Sequence, residues 1–142
     1  MDRTVEVLNN LLQGENMAVD SLNTFINKVG DENIKRTLQE VQSQHRENMS
    51  VLAKRIQDLG YEPREKLGLK GAMADLMINM DLIGEGGMSI LNKVIEGENK
   101  GISRMADEIS RSNLDSESKK IANQVLEEDR SSLAKMRRLR QQ

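Results

Sequence analysis

Leu38-Gln39-Glu40-Val41-Gln42-Ser43-Gln44-His45 has the spacing of a helix with one buried face. Continued through Leu52 to Gly60, it puts Leu38, His45, Leu52 and Leu59 at intervals of seven residues. Seven residues make about two helical turns, so these positions form a single stripe. The stripe is apolar except at His45. Ile34, Val41, Met49 and Ile56 widen it into the seam of a helix over residues 31–59, with Asp31 as N-cap and Gly60 as the stop.

The segments on either side repeat the pattern. Residues 4–29 carry Leu8, Leu11/Leu12, Val19, Leu22, Phe25/Ile26 and Val29, with Gly30 as the expected C-cap. Residues 88–111 carry Leu91, Ile95, Ile102, Met105 and Ile109. A last helix starts at Asp115 or Ser116, supported by Glu117, with seam Ile121, Val125, Met136 and Leu139. The turn at Gly30-Asp31 is short, so the first two helices are expected to lie antiparallel. Pro63 blocks direct continuation of the second. The long connection over residues 60–87 then holds a short amphipathic helix on Leu69, Met73, Leu76, Met77, Met80 and Ile83. Two hairpins joined by a long crossover predict an all-α four-helix bundle of the ferritin-like order, one domain spanning 1–142.

Composition closes off the alternatives. The 142 residues are 31% charged and 1% aromatic, with Lys and Arg at 21 against 23 Asp and Glu. The near-balance argues against a general nucleic-acid binder, and so few aromatics argue against β-barrels and base-stacking platforms. The chain has no Cys, which removes thiolate metal sites and Cys nucleophiles, and His45 is its one His. No stretch approaches the roughly 18 uncharged apolar residues of a membrane span. Residues 1–4 do not read as a signal peptide, and a cytoplasmic location is expected.

What interrupts each seam is more informative than the seams. Position 15, between Leu8 and Leu22, is Glu15. Position 98, between Leu91 and Met105, is Glu98. Glu128 follows Val125 in the last helix, and His45 sits in the second. All four lie near mid-helix, so antiparallel packing would bring them to one level of the core. Burying an unpaired carboxylate costs several kcal/mol. Carboxylates beside one imidazole must therefore share charge, share protons or surround a cation. The competing reading shifts the register by about one residue and lets the Glu side chains reach solvent.

These stretches, with Val94-Ile95-Glu96-Gly97-Glu98 and Val125-Leu126-Glu127-Glu128-Asp129-Arg130-Ser131, resemble the ferritin-like superfamily, rubrerythrin-like domains in particular. The resemblance covers nearly the whole chain and is strongest to small bacterial ferritin-like domains of unknown function. Di-metal members carry a lone Glu, a Glu-x-x-His, a second lone Glu and a second Glu-x-x-His on successive helices. The resemblance thus implies Glu15, His45, Glu98 and Glu128 as metal ligands. The remaining two positions fall on Gln42 and Ser131, weaker donors than the carboxylate and imidazole they replace. Three outcomes follow: a metal-free hydrogen-bonded network, one divalent ion, or weak di-metal binding. The expected role is structural or interaction-based, with no cofactor. The alternative is an iron- or manganese-binding protein acting in iron oxidation or peroxide handling. Whether the chain is an enzyme stays open.

Other features read more simply. The Met-rich stripe over residues 69–83 packs on its own bundle or forms the interface of a homo-oligomer, expected to be a dimer. Lys135, Arg137, Arg138 and Arg140 suit a helix C-terminus, where cations complement the dipole. Gly84, Gly86 and Gly87 lack the flanking strand and Gly-Lys-Ser/Thr of a phosphate loop.

Overall fold

A computed structural model describes residues 3–64 and 86–142, and the described residues form four α-helices: α1 (Arg3–Lys28), α2 (Glu32–Asp58), α3 (Gly87–Arg111) and α4 (Ser116–Arg140). The expected stripe at residues 69–83, and any interface it would form, lies outside the described residues.

Local chemistry sets the ends of the helices. Asp31 is in extended conformation, and its carboxylate accepts hydrogen bonds from the backbone N–H of Asn33 and Ile34, capping α2. Asp115 caps α4 by accepting from the Ser118 N–H, and it also holds the Arg55 guanidinium at 2.9 Å. At the far end of α2 the backbone turns through Gly60, whose φ is +89°, a conformation open mainly to glycine. Gly30 does not take such a conformation. Among the described residues only Gly60 has a positive φ. The α1–α2 turn therefore runs directly into the Asp31 cap without a left-handed glycine.

Around the bundle, α1 packs on α2, α2 on α4, α4 on α3 and α3 on α1, the last pair most sparsely. Cross-helix hydrogen bonds fix the directions. Asn10 near the start of α1 bonds Glu108 near the end of α3, and Lys135 late in α4 bonds Glu40 early in α2. All four neighbouring pairs are antiparallel. Residue 64 lies beside Asn9, and Gly87 lies beside Val29, Asp31 and Ile34. The segment between them thus joins opposite ends of the bundle, as the one-crossover topology requires.

The core is a continuous aliphatic column. Leu8, Leu12, Leu38, Leu52, Ile56, Leu91 and Met136 are all fully buried. Burying a side chain of this size stabilises the fold by about 1.5–3 kcal/mol. The seams read from α1, α2 and α3 face inward, with Met49 and Leu59 only partly covered. In α4 the seam is displaced. Ala122, Val125, Leu126, Leu133 and Met136 are buried, while Ile121 and Leu139 are half-buried at its margin. That displacement has a direct consequence for the polar residues.

Candidate metal centre

Halfway along the bundle the aliphatic column is interrupted by polar groups from every helix. α1 supplies Glu15, α2 supplies His45 and Asn48, α3 supplies Glu98 and α4 supplies Asp129. His45, Glu15, Asn48 and Asp129 are each 2% exposed. The Glu98 side chain is 8% exposed.

His45 is the hub. Its Nδ1 lies 3.1 Å from Glu15 Oε1 and 3.3 Å from Asp129 Oδ1, and its Nε2 lies 2.7 Å from Glu98 Oε1. Asn48, one turn further along α2, donates from Nδ2 to Glu15 Oε1 at 2.6 Å and to Asp129 Oδ1 at 3.0 Å. Its own Oδ1 accepts from Gln44 Nε2. Among the described residues, no buried side-chain nitrogen or oxygen lacks a partner.

Protons are shared within this cluster. Burial alone lowers the pKa of His45, but hydrogen bonds to Glu15 and Glu98, and the charge of both, raise it well above 6.5. Both ring nitrogens then carry hydrogen and donate. Burial pushes the Asp129 carboxyl up to about 9, helped by the charge and hydrogen bond of Glu15. At neutral pH the site is thus held by an imidazolium and a protonated acid among acceptors. The His45–Asp129 contact is then a hydrogen-bonding neighbour more than an ion pair.

The structure brings together Glu15, His45 and Glu98. It does not bring Glu128. That residue is exposed, and Asp129 takes the inward position. The correction follows from the displaced α4 seam. Asp129 lies four residues after Val125, four before Leu133 and seven before Met136, all buried, so the helical period points it inward. Glu128 lies seven after Ile121, which is itself only marginal.

Ser131 is likewise exposed, and Ser132 is the buried serine. Gln42 is buried but engaged elsewhere. Its Nε2 donates to the Val19 carbonyl at 3.0 Å and to Asn23 Oδ1 at 2.6 Å, tying α2 to α1. Asn48 is absent from the sequence reading. Its signal was available, since it lies seven residues after Val41 and four before Leu52, on the buried face.

One donor atom each from Glu15, His45 and Asp129 lie within 4.8 Å of one another, close enough to share a metal ion. The set is two carboxylates and one imidazole, which suits divalent ions such as Mn(II), Fe(II) and Zn(II). Glu98 stands on the other ring nitrogen, where a carboxylate fixes the tautomer and aims the ring. The centre is reached from one side by a groove of about 560 Å³ between α1 and α3, with Glu15, His45, Glu98 and Asp129 on its floor.

Among the described residues, no helix is long and apolar enough to cross a membrane. No curated protein and no solved structure matches the chain. A family model described as a domain of unknown function, DUF2383, matches residues 3–112, which span α1, α2 and α3 and stop before Asp129. With more than half of its length matched, the chain belongs to the DUF2383 family.

Proposed function

We propose that the chain is a ferritin-like metalloprotein whose core binds one divalent ion, iron or manganese, through Glu15, His45 Nδ1 and Asp129. The carrying observation is the convergence of those three donor atoms within 4.8 Å, with Glu98 bonded to the opposite ring nitrogen at 2.7 Å. The donor set fits one ion and not two. A second ion in the ferritin-like pattern needs a carboxylate at position 42, where Gln42 is tied to Val19 and Asn23. It also needs an imidazole at the end of the α4 motif, where serine stands instead.

Charge balance supports the reading. His45 and Asp129 hold two protons that a divalent ion can replace, charge for charge, as metal binding generally releases protons from its ligands. A bound iron or manganese ion supplies Lewis acidity and a redox couple, which fits iron oxidation or peroxide handling as the activity. The residues do the rest. Glu15 and Asp129 neutralise the ion, Glu98 holds the imidazole in register, and Asn48 keeps the two ligand carboxylates together.

A second reading has its own support. Because every buried polar side-chain atom among the described residues already has a partner, the cluster is also a complete metal-free network. On that reading the protein has a structural or interaction role. Anaerobic loading with Fe(II), Mn(II) or Zn(II), followed by metal analysis, separates the two. One ion per chain in the wild type, lost in His45→Ala and Asp129→Ala and kept in Glu128→Ala, is the expected result. No ion under any loading leaves the structural network.

A further inference from the structure

Three glycines lie inside helices where alanine would strengthen the helix: Gly14 in α1, Gly97 and Gly101 in α3. Backbone geometry does not require them, since only Gly60 among the described residues has a positive φ. Packing does not require them either, because a Cβ added to any of the three would meet nothing within 4 Å. What they share is place. All three line the α1–α3 groove, and Gly14 and Gly97 directly precede Glu15 and Glu98 on its floor. Their missing side chains hold open the space above the cluster.

The size and lining of that space point to a ligand larger than an ion. About 560 Å³ falls in the range of small-molecule pockets. Phe25 and Met105 contribute apolar wall. At the rim, Lys93, Lys100 and Arg104 outnumber Glu96 and Glu108. Arg104 is exposed and makes no ion pair among the described residues. A cationic rim favours approach of an anion. Three protein donors leave room on an Fe(II) or Mn(II) ion for a further oxygen donor, and the groove is the open side.

We propose that the α1–α3 groove binds a small organic acid, its carboxylate directed to the ion on the floor and its apolar body lying along Gly14, Gly97 and Gly101. The floor contact rests on the metal reading above.

The test uses the full chain loaded with Zn(II), which is silent in NMR, and titrates hexanoate, with hexanol and hexylamine as controls. Hexanoate should bind at least tenfold more tightly than either control and shift the amide signals of Gly14, Gly97 and Gly101. Gly97→Leu with Gly101→Leu should weaken hexanoate at least tenfold while zinc stoichiometry and helix content stay at wild-type values. Should the double variant fold poorly, Arg104→Glu tests the rim and should weaken hexanoate severalfold with zinc uptake unchanged. Undiminished hexanoate binding in the variant that folds, or tighter binding of hexylamine, overturns the pocket. Zinc uptake without hexanoate binding at the glycines overturns the pocket alone. Absence of zinc uptake overturns the metal reading and the pocket with it.

Discussion

His45 Nε2 meets Glu98 Oε1 at 2.7 Å, joining α2 to α3 across the diagonal of the bundle. The contact leaves the other ring nitrogen, Nδ1, facing Glu15 and Asp129. In metal sites a carboxylate on the non-ligating nitrogen orients the ring and raises its basicity, and its loss typically lowers affinity about 10–100-fold. Glu98→Gln keeps the reach and removes the charge. It should therefore load metal in excess but release it that much more readily to a competing chelator. Complete loss of binding, equal to that of Asp129→Ala, would make Glu98 a ligand itself. Unchanged affinity would mean that the contact does not serve the site.

Removing the hub should be costly even without metal. His45→Ala leaves Glu15, Glu98 and Asp129 in the core with Asn48 as their remaining shared partner. Breaking a buried pair by deleting one member typically costs about 3–5 kcal/mol. Urea denaturation of the chelated protein at neutral pH should show a loss of that order. A loss below about 1 kcal/mol, the scale of a surface pair, would mean that the carboxyl groups find water in the folded state.

The raised pKa values of His45 and Asp129 act in one direction. Unfolded, Asp129 releases its proton near 3.8, and folded it holds it to about 9. Unfolded His45 releases its proton near 6.5, and folded it holds it to a higher pH. Over this interval the native state binds more protons than the unfolded chain, so stability falls as pH rises, by about 1.4 kcal/mol per pH unit for each proton held. The contribution of Asp129 is fully present below pH 3.8 and gone above about 9. That of His45 is fully present below 6.5 and lost through its folded pKa. Chelated wild-type protein should melt lower at pH 9 than at pH 6. Asp129→Asn, which cannot titrate, should flatten this slope. Metal affinity should move oppositely and increase with pH. An Asp129→Asn slope equal to wild type would remove Asp129 from the account.

Glu128→Ala and Asp129→Ala form the sharpest pair. The exposed Glu128 should be neutral within about 0.5 kcal/mol and leave metal uptake unchanged. Asp129→Ala should abolish uptake. Equal effects would mean that both side chains can reach the site.

The pair also shows how far the sequence could be read. Leu8, Leu22, Leu38, Leu52, Leu91 and Met105 are large, buried and in phase, so Glu15, His45 and Glu98 stood out as the polar members of well-marked stripes. α4 offers less. Ile121 and Leu139 look like seam residues by composition but sit at its margin, while the inward position at 122 is a small alanine. Anchored on Ile121, the stripe selects Glu128. Anchored on Leu126 and Leu133, it selects Asp129. Asn48 escaped for another reason. A neutral amide in a seam carries no charge to explain, and its value appears only when two carboxylates from other helices come within reach. Gln42 was visible as a departure from the ferritin-like pattern, but its bonds to Val19 and Asn23 depend on how α1 packs against α2.

Alanine in place of glycine should have opposite effects at different sites. At Gly14, Gly97 and Gly101 the added methyl meets open space and lowers the entropy of the unfolded chain, so each variant should gain about 0.5–1 kcal/mol. At Gly60 the backbone sits at φ +89°, which disfavours any Cβ, and Gly60→Ala should lose about 1–2 kcal/mol. At Gly87 the added methyl would stand 3.0 Å from Ile34 Cδ1 and 3.4 Å from Asp31 Cβ, where α3 meets the cap of α2. Gly87→Ala gains helix propensity there only if Ile34 yields, so it should be the least favourable of the α3 glycine variants. Melting temperatures of the set, measured with chelator, test this order. A stabilised Gly60→Ala, or a destabilised Gly101→Ala, would contradict it, the latter by showing that the groove is filled by the protein's own atoms.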